Sequence, residues 1–327
     1  MPAKRRTRES VPEAAKPIQS DRPIRDWIKD FQKLYAPADK KRSPVEMWVA
    51  ATAHFTIMGE AIRRMHFSKL MKAAAHAFCW MSSFVLRCRG EKNTVFAVDE
   101  SFCSIVAAKY PFVCGHCKER YCHCNPQLMD AQDNKAATYK DLLVERSALH
   151  GAYEDYSVSD WLSTFERIYG QHIHMLTLES IGFHFLEEAG EELTALRALL
   201  QLKHAPEQNL TGVDGQFLAQ LATSEGAVRL YGEYAKQKLE PDKHTPQAIR
   251  ARLVHAKVAM FIELADTFSW FCSIINKVMA IAKNCGDDKC QFIQQPFRQW
   301  LQQEYLLDAK LLCPTCRKCP CECVFYN

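Results

Sequence analysis

The chain contains a second copy of itself. DWIKDFQKLY at Asp26 to Tyr35 returns as DWLSTFERIY at Asp160 to Tyr169, with Asp, Trp, Phe and Tyr at the same spacing. His54-Phe55 is answered by His184-Phe185, and AHAFCWMSSF from Ala75 by ADTFSWFCSI from Ala265. CGHCKERYCHC from Cys114 is answered by CPTCRKCPCEC from Cys313, and both contain C-x2-C-x4-C-x-C. Echoes that keep one order define two copies of one unit, residues 22–125 and 156–325. The polar stretch 126–155 joins them, and residues 1–21, which open MPAKRRTRES, read as a basic flexible arm. The second copy is longer than the first, chiefly through a Gly- and Pro-punctuated insertion over residues 204–245.

Within each copy the apolar period is helical. HFLEEAGEELTALRALLQL places Phe185, Leu193, Leu196, Leu199 and Leu200 near one stripe. AIRARLVHAKVAMFIELADTFSWFCSIINKVMAIAK is one long helical pattern, opened by Thr245 and Pro246. The two Asp-Trp segments follow Pro23 and Ser157 and suit short amphipathic helices. The expected fold is all-α: two tandem helical bundles that pack as a pseudo-dimer within one chain, each ending in a Cys cluster. Only 12 Gly in 327 residues and few alternating runs argue against an all-β fold. A net charge of +4 is too small to make nucleic acid an expected partner. No apolar run approaches the roughly 18–20 uncharged residues of a membrane span, so no membrane partner is expected. Fifteen Cys without a secretion signal point to a reducing, cytoplasmic setting and to metal ligation over disulfides.

The acidic residues ask for an explanation. Glu187, Glu188, Glu191 and Glu192 crowd one helix, with no Lys or Arg nearer than Arg167 and Arg197. Positions i, i+1 and i+4 fall within about 100° of arc, so Glu187, Glu188 and Glu191 share a face. Like charges at i, i+4 repel, more strongly when partly buried. Glu263 and Asp266 stand at i, i+3 inside the apolar and aromatic run FIELADTFSWF. Two antiparallel helices that bring these faces together make a hard-oxygen site of five carboxylates, suited to Mg²⁺ or Mn²⁺ rather than zinc.

EEAGE followed by ELAD resembles the EExxE…ExxD signature of the MazG-like, all-α nucleoside triphosphate pyrophosphohydrolases. The resemblance covers about half of the second copy, and the gap between the half-motifs is longer than that family usually has. It implies Mg²⁺-dependent hydrolysis of an NTP or dNTP to the monophosphate and pyrophosphate. By the same resemblance Glu187, Glu188, Glu191, Glu263 and Asp266 hold Mg²⁺. Glu187 or Glu188 takes the proton of the attacking water. Of the lysines beyond the signature, Lys277 is nearest and is the candidate for the substrate phosphates. The family also assembles through such bundles, which an internal pseudo-dimer would satisfy, with further homo-oligomers open.

A gapless alignment on His54 and His184 sets Ile57 at Glu187, Met58 at Glu188 and Ala61 at Glu191. Ala73 then stands at Glu263 and His76 at Asp266 when the second helices are aligned. The first copy reads as a scaffold without the chemistry. His184, matched by His54, is expected to pack or cap; Phe268, Trp270 and Trp161, matched by Phe78, Trp80 and Trp27, are expected in the core.

Cys114, Cys117, Cys122 and Cys124, repeated as Cys313, Cys316, Cys321 and Cys323, are candidate ligands of structural Zn²⁺, each cluster a zinc knuckle. His116 and His123 are alternative ligands, and iron–sulfur ligation is the lesser alternative. Cys79, Cys88, Cys103, Cys272, Cys285 and Cys290 read as buried thiols or loop residues. The alternative to an enzyme is a non-enzymatic zinc adaptor that grips nucleic acid or a protein partner.

Overall fold

The computed structural model describes residues 21–110, 114, 120–122, 153–203, 213–234, 245–285, 293–307 and 310–323. The protein is all-α. Helices α1 (Ile24–Asp39), α2 (Pro44–Arg63), α3 (Phe67–Gly90) and α4 (Phe102–Lys109) form the first half. Helices α5 (Val158–Met175), α6 (Leu178–Lys203), α7 (Gly215–Leu221), α8 (Ser224–Tyr234), α9 (Pro246–Asn284) and α10 (Phe297–Tyr305) form the second. Among the described residues the only sheet is a two-residue ribbon after α10, β1 (Leu306–Leu307) against β2 (Lys310–Leu311).

Local chemistry sets the helix starts. Ser43 accepts from the Glu46 N–H while Glu46 accepts from the Ser43 N–H at 2.7 Å, and Pro44 opens α2. Ser157 and Asp160 make the same reciprocal cap on α5. Thr245 caps α9, with Pro246 at its first position, as the sequence suggests. α9 also corrects one expectation: it is long and apolar enough to cross a membrane. It is instead the central core helix, with 89% of its apolar window buried.

The same contacts recur in both halves. Trp27 stacks on Phe31 at 5.9 Å, and Trp161 on Phe165 at 5.7 Å. Phe31 meets Phe78 edge-on at 6.1 Å, and Phe165 meets Phe268 edge-on at 6.2 Å. His54 stacks near Trp80, and His184 on Trp270. Matched residues also meet each other. Pro23 bridges Ser157, and Phe55 packs edge-on against Phe185 at 4.9 Å. Contacts between counterparts are what two copies packed as a pseudo-dimer would make.

The ends of the halves are exchanged. α4, from the first half, packs on α9; α10, from the second, packs on α3. Tyr110, after α4, meets Phe165 at 5.2 Å, whereas Tyr305, at the end of α10, meets Phe31 at 5.0 Å. The Cys clusters follow the same rule. The Cys122 N–H donates to the Ile168 carbonyl and the Cys321 N–H to the Leu34 carbonyl, both at 2.7 Å. One continuous core therefore runs through both halves. The described part of the insertion, α7 and α8, packs on α9 and is tied to the first half. Glu100 accepts from the Ser224 N–H at 3.0 Å, and the Asp99 N–H donates to the Ala222 carbonyl at 2.8 Å.

Candidate functional site

α6 and α9 lie against each other and bring acidic positions of both into one place. Glu188, Glu191 and Glu263 each present a carboxylate oxygen, and all three lie within 4.8 Å of one another. Glu263 is buried, Glu188 half-buried, and Glu191 exposed at the rim. Burial pushes the Glu188 carboxyl up to about 10, helped by the charge of Asp266 and a hydrogen bond shared with Glu263; Lys109 opposes the rise. Glu188 Oε2 is buried with no hydrogen-bond partner. Three crowded carboxylates, one of them with an unsatisfied buried oxygen, are a donor set that fits a hard cation.

The four clustered glutamates of α6, Glu187, Glu188, Glu191 and Glu192, do not all face the same way. Glu188 and Glu192, four residues apart, turn inward. Glu192 is fully buried, and burial holds it well above the usual carboxylate range against the opposing charge of Lys257. Neither of its oxygens has a hydrogen-bond partner. Lys257 donates instead to the carbonyls of Ala97 at 2.7 Å and Val95 at 3.3 Å, and burial lowers its ammonium to about 8. Glu187 turns outward. Its side chain is 64% exposed and pairs with His184 Nδ1 at 3.4 Å, so it stands outside the three-oxygen group.

Asp266 also stands outside that group, because two residues of the first half hold it. Lys109 Nζ and Tyr110 Oη both donate to its carboxylate, Lys109 as an ion pair in which the Asp266 side chain is only 8% exposed. Burial, with Asp266 beside it, raises the Tyr110 phenol well above its ordinary range and keeps it a donor. The reading of the first half as pure scaffold is thereby corrected: it supplies two groups to the acidic site. Lys109 and Tyr110 precede the first Cys cluster, and the exchange of α4 carries them across. Each Cys cluster is preceded by a charged residue and a tyrosine, Lys109-Tyr110 and Glu304-Tyr305, and that pairing is the sequence signal that could have found them.

Lys277 lies elsewhere. Its ammonium donates to the carbonyls of Ile173 and His174, each at 3.1 Å, at the C-terminal end of α5. At 1.5 Å per residue it is roughly 16 Å along α9 from Asp266. His184, stacked on Trp270 at 4.7 Å, has the packing role expected of it. Trp161 and Phe268 are fully buried in the core, and Trp270 packs against it half-buried.

Cys313, Cys316, Cys321 and Cys323 form a second group that could hold a metal ion, with their sulfurs mutually within 4.8 Å. The separations of 3.4 Å (Cys321 to Cys313), 3.7 Å (Cys313 to Cys323) and 3.8 Å (Cys316 to Cys321) approach the roughly 3.8 Å between thiolates around a tetrahedral ion with 2.3 Å bonds. Burial alone would raise the Cys316 thiol, but hydrogen bonds from the backbone of Glu322 and Lys318 outweigh it and lower it to about 6. Cys319 is exposed and outside the group. In the first half Cys114 and Cys122 stand 3.3 Å apart; Cys117 and Cys124, with His116 and His123, lie outside the described residues. Cys79, Cys88, Cys103 and Cys272 are buried thiols as expected, whereas Cys285 is disulfide-bonded, and Cys290 lies outside the described residues. No protein-family model, curated protein or solved structure matches the chain.

Proposed function

We propose that the protein is a Mg²⁺-dependent nucleotide pyrophosphohydrolase, a duplicated MazG-like chain whose α6–α9 cleft carries the chemistry. The observation that supports this reading is the convergence of Glu188, Glu191 and Glu263 within 4.8 Å beside Asp266. Without a cation the crowding raises the Glu188 carboxyl, which shares a hydrogen bond with Glu263; a divalent ion would take the place of that proton. When bound, Mg²⁺ would neutralise charge on the phosphates and lower the pKa of a coordinated water. Glu188, Glu191 and Glu263 would hold it, and Asp266 would complete the set from the next turn of α9. Glu187, exposed beside the cluster, is the group left to take the water's proton. Lys109, on Asp266 at the edge of the cleft, takes the phosphate role that the sequence reading gave to Lys277. The C-terminal thiolates would hold a structural Zn²⁺, with no open position for substrate.

The test is pyrophosphate release from a panel of NTPs and dNTPs with Mg²⁺. At least one nucleotide should be turned over, and Glu188→Gln and Glu263→Gln should each abolish it while leaving the helical signal intact. No turnover of any nucleotide, together with salt-sensitive binding of RNA or DNA, would replace this reading with the zinc adaptor.

A further inference from the structure

The acidic cleft has a counterpart of opposite charge. In the first half, α2 and α3 flank an open, solvent-facing cavity of about 480 Å³ lined by His54, His66, Ser68, Lys69, Lys72 and His76. Its remaining walls are Ile57 and Ala73, the residues that align with Glu187 and Glu263. His76 aligns with Asp266. The cavity therefore stands where the alignment of the two copies puts the second half's carboxylates, with acid exchanged for base.

The surroundings are inverted as well. Asp266 is held by Lys109 and Tyr110; His76 is held by Glu304, with Nε2 at 3.3 Å, and by Tyr305, whose hydroxyl lies 3.3 Å from Nδ1. The acid and the base have changed places, and the tyrosine is kept. Lys72 reaches the other Glu304 oxygen at 3.8 Å. Glu60 is shared between Lys69 at 2.8 Å and Arg64 at 2.9 Å. Arg64, Lys69 and Lys72 thus outnumber Glu60 and Glu304 around the cavity.

The backbone adds to this field. α9 runs unbroken past its acidic residues, but α3 begins at the cavity, with His66 as N-cap accepting from the Lys69 N–H at 3.3 Å. A helix start leaves N–H groups without intrahelical partners and carries partial positive charge. His54 and His76 stack at 5.1 Å and give the cavity a flat aromatic wall.

We propose that this cavity is a second, non-catalytic site that binds the phosphoanhydride chain of a nucleotide or of free pyrophosphate. Lys69, Lys72 and the first turn of α3 take the phosphate oxygens, and the imidazole wall lies beside them. The first half is then a ligand-binding half rather than a worn copy. This stands on the geometry of the first half and does not depend on hydrolysis at the acidic cleft.

Isothermal titration calorimetry tests it on the full chain, at low salt and without divalent cations, with inorganic pyrophosphate in one arm and a nucleoside triphosphate in the other. One equivalent of pyrophosphate should bind, and Lys72→Gln and Lys69→Gln should each weaken it roughly tenfold. Both lysines are exposed, so the fold should not change. Lys29→Gln, an exposed lysine on α1 outside the cavity, should bind as the parent does. Tighter binding of the triphosphate identifies the nucleotide as the ligand, and equal binding identifies the diphosphate unit. Absence of binding at millimolar ligand, or binding indifferent to both lysine substitutions, would overturn the proposal.

Discussion

The sharpest test of the acidic cleft is Glu188→Gln, because its effect on stability should change sign with conditions. Glu188 titrates at 4.5 when free of the fold, and burial beside Asp266 and Glu263 raises it to about 10. A raised carboxyl binds a proton that the unfolded chain has already lost, so stability is full below pH 4.5 and falls as pH climbs towards 10. At pH 7 about 2.5 pH units of that fall have accumulated, or ~3 kcal/mol at 1.36 kcal/mol per unit. Gln has the same shape, carries no proton to lose and can still donate to Glu263. Without divalent cations at pH 7, Glu188→Gln should therefore be more stable than the parent by about 2–3 kcal/mol, or about 3–4 °C in Tm. Below pH 5 the difference should vanish. Mg²⁺ at about 1,000 times its Kd should reverse it, since that stabilises the parent by ~4.1 kcal/mol and the variant loses a ligand. Differential scanning calorimetry at pH 4.5, 7 and 8, with and without Mg²⁺, reads all three. A Gln variant less stable than the parent at pH 7 without Mg²⁺, or a gap that ignores pH, would refute the reasoning.

Lys109→Met should destabilise the protein by about 3 kcal/mol, because it strands Asp266 with only Tyr110, and adding Asp266→Asn should recover most of that loss in urea melts. The same Lys109→Met variant should lower kcat/KM for nucleotide at least tenfold. Cys313→Ser should release one equivalent of zinc per chain in a chromogenic chelator assay, and it should lower Tm through the lost seat on α1. In the first half, His76→Asp and Glu304→Lys should each destabilise alone, while the pair, which rebuilds the Asp266–Lys109 arrangement, should show favourable coupling of about 1 kcal/mol or more in a double-mutant cycle. Additive effects there would count against the inverted correspondence.

Much of the fold is legible in the sequence because its signals are local. Ser157 and Thr245 sit where helix caps must, and the 3.6-residue period of α9 is unbroken over 39 residues. The repeated Trp-Phe pairs announce repeated contacts, which the structure shows at nearly equal distances. Other features are invisible because they depend on which surfaces meet. Spacing puts Glu187, Glu188 and Glu191 on one face but cannot say where the packing boundary crosses it. That boundary leaves Glu187 in solvent, Glu188 in the cleft and Glu192 in the core. Nor does spacing tell which half a terminal segment joins. A segment can dock on its own copy or on the other with the same local contacts, so the crossing of α4 and α10 leaves no trace in periodicity. Spacing therefore does not point to Lys109, and it favours Lys277 by nearness along α9, whose length carries that ammonium to the end of α5.

The exchange also explains how one half could change its charge without losing its fold. The frame of each half is apolar: Trp27, Phe31 and Phe78 in one, Trp161, Phe165 and Phe268 in the other, all buried. Burial of such rings contributes most of the packing energy, at roughly 25 cal/mol per Å² of apolar surface. The polar residues sit on this frame as pairs drawn from different halves, Asp266 with Lys109 and His76 with Glu304. Changing one member alone would leave a partly buried charge beside a like charge, at a cost of several kcal/mol. Changing both keeps the pair and its tyrosine and reverses the sign of the site. The paired inversion is what selection for a site of opposite charge would leave. Simple decay of an unused copy would have no reason to move acid and base together. The His76–Glu304 pair, more than the loss of carboxylates at Ile57, Met58, Ala61 and Ala73, therefore argues that the first half was rebuilt for an anion.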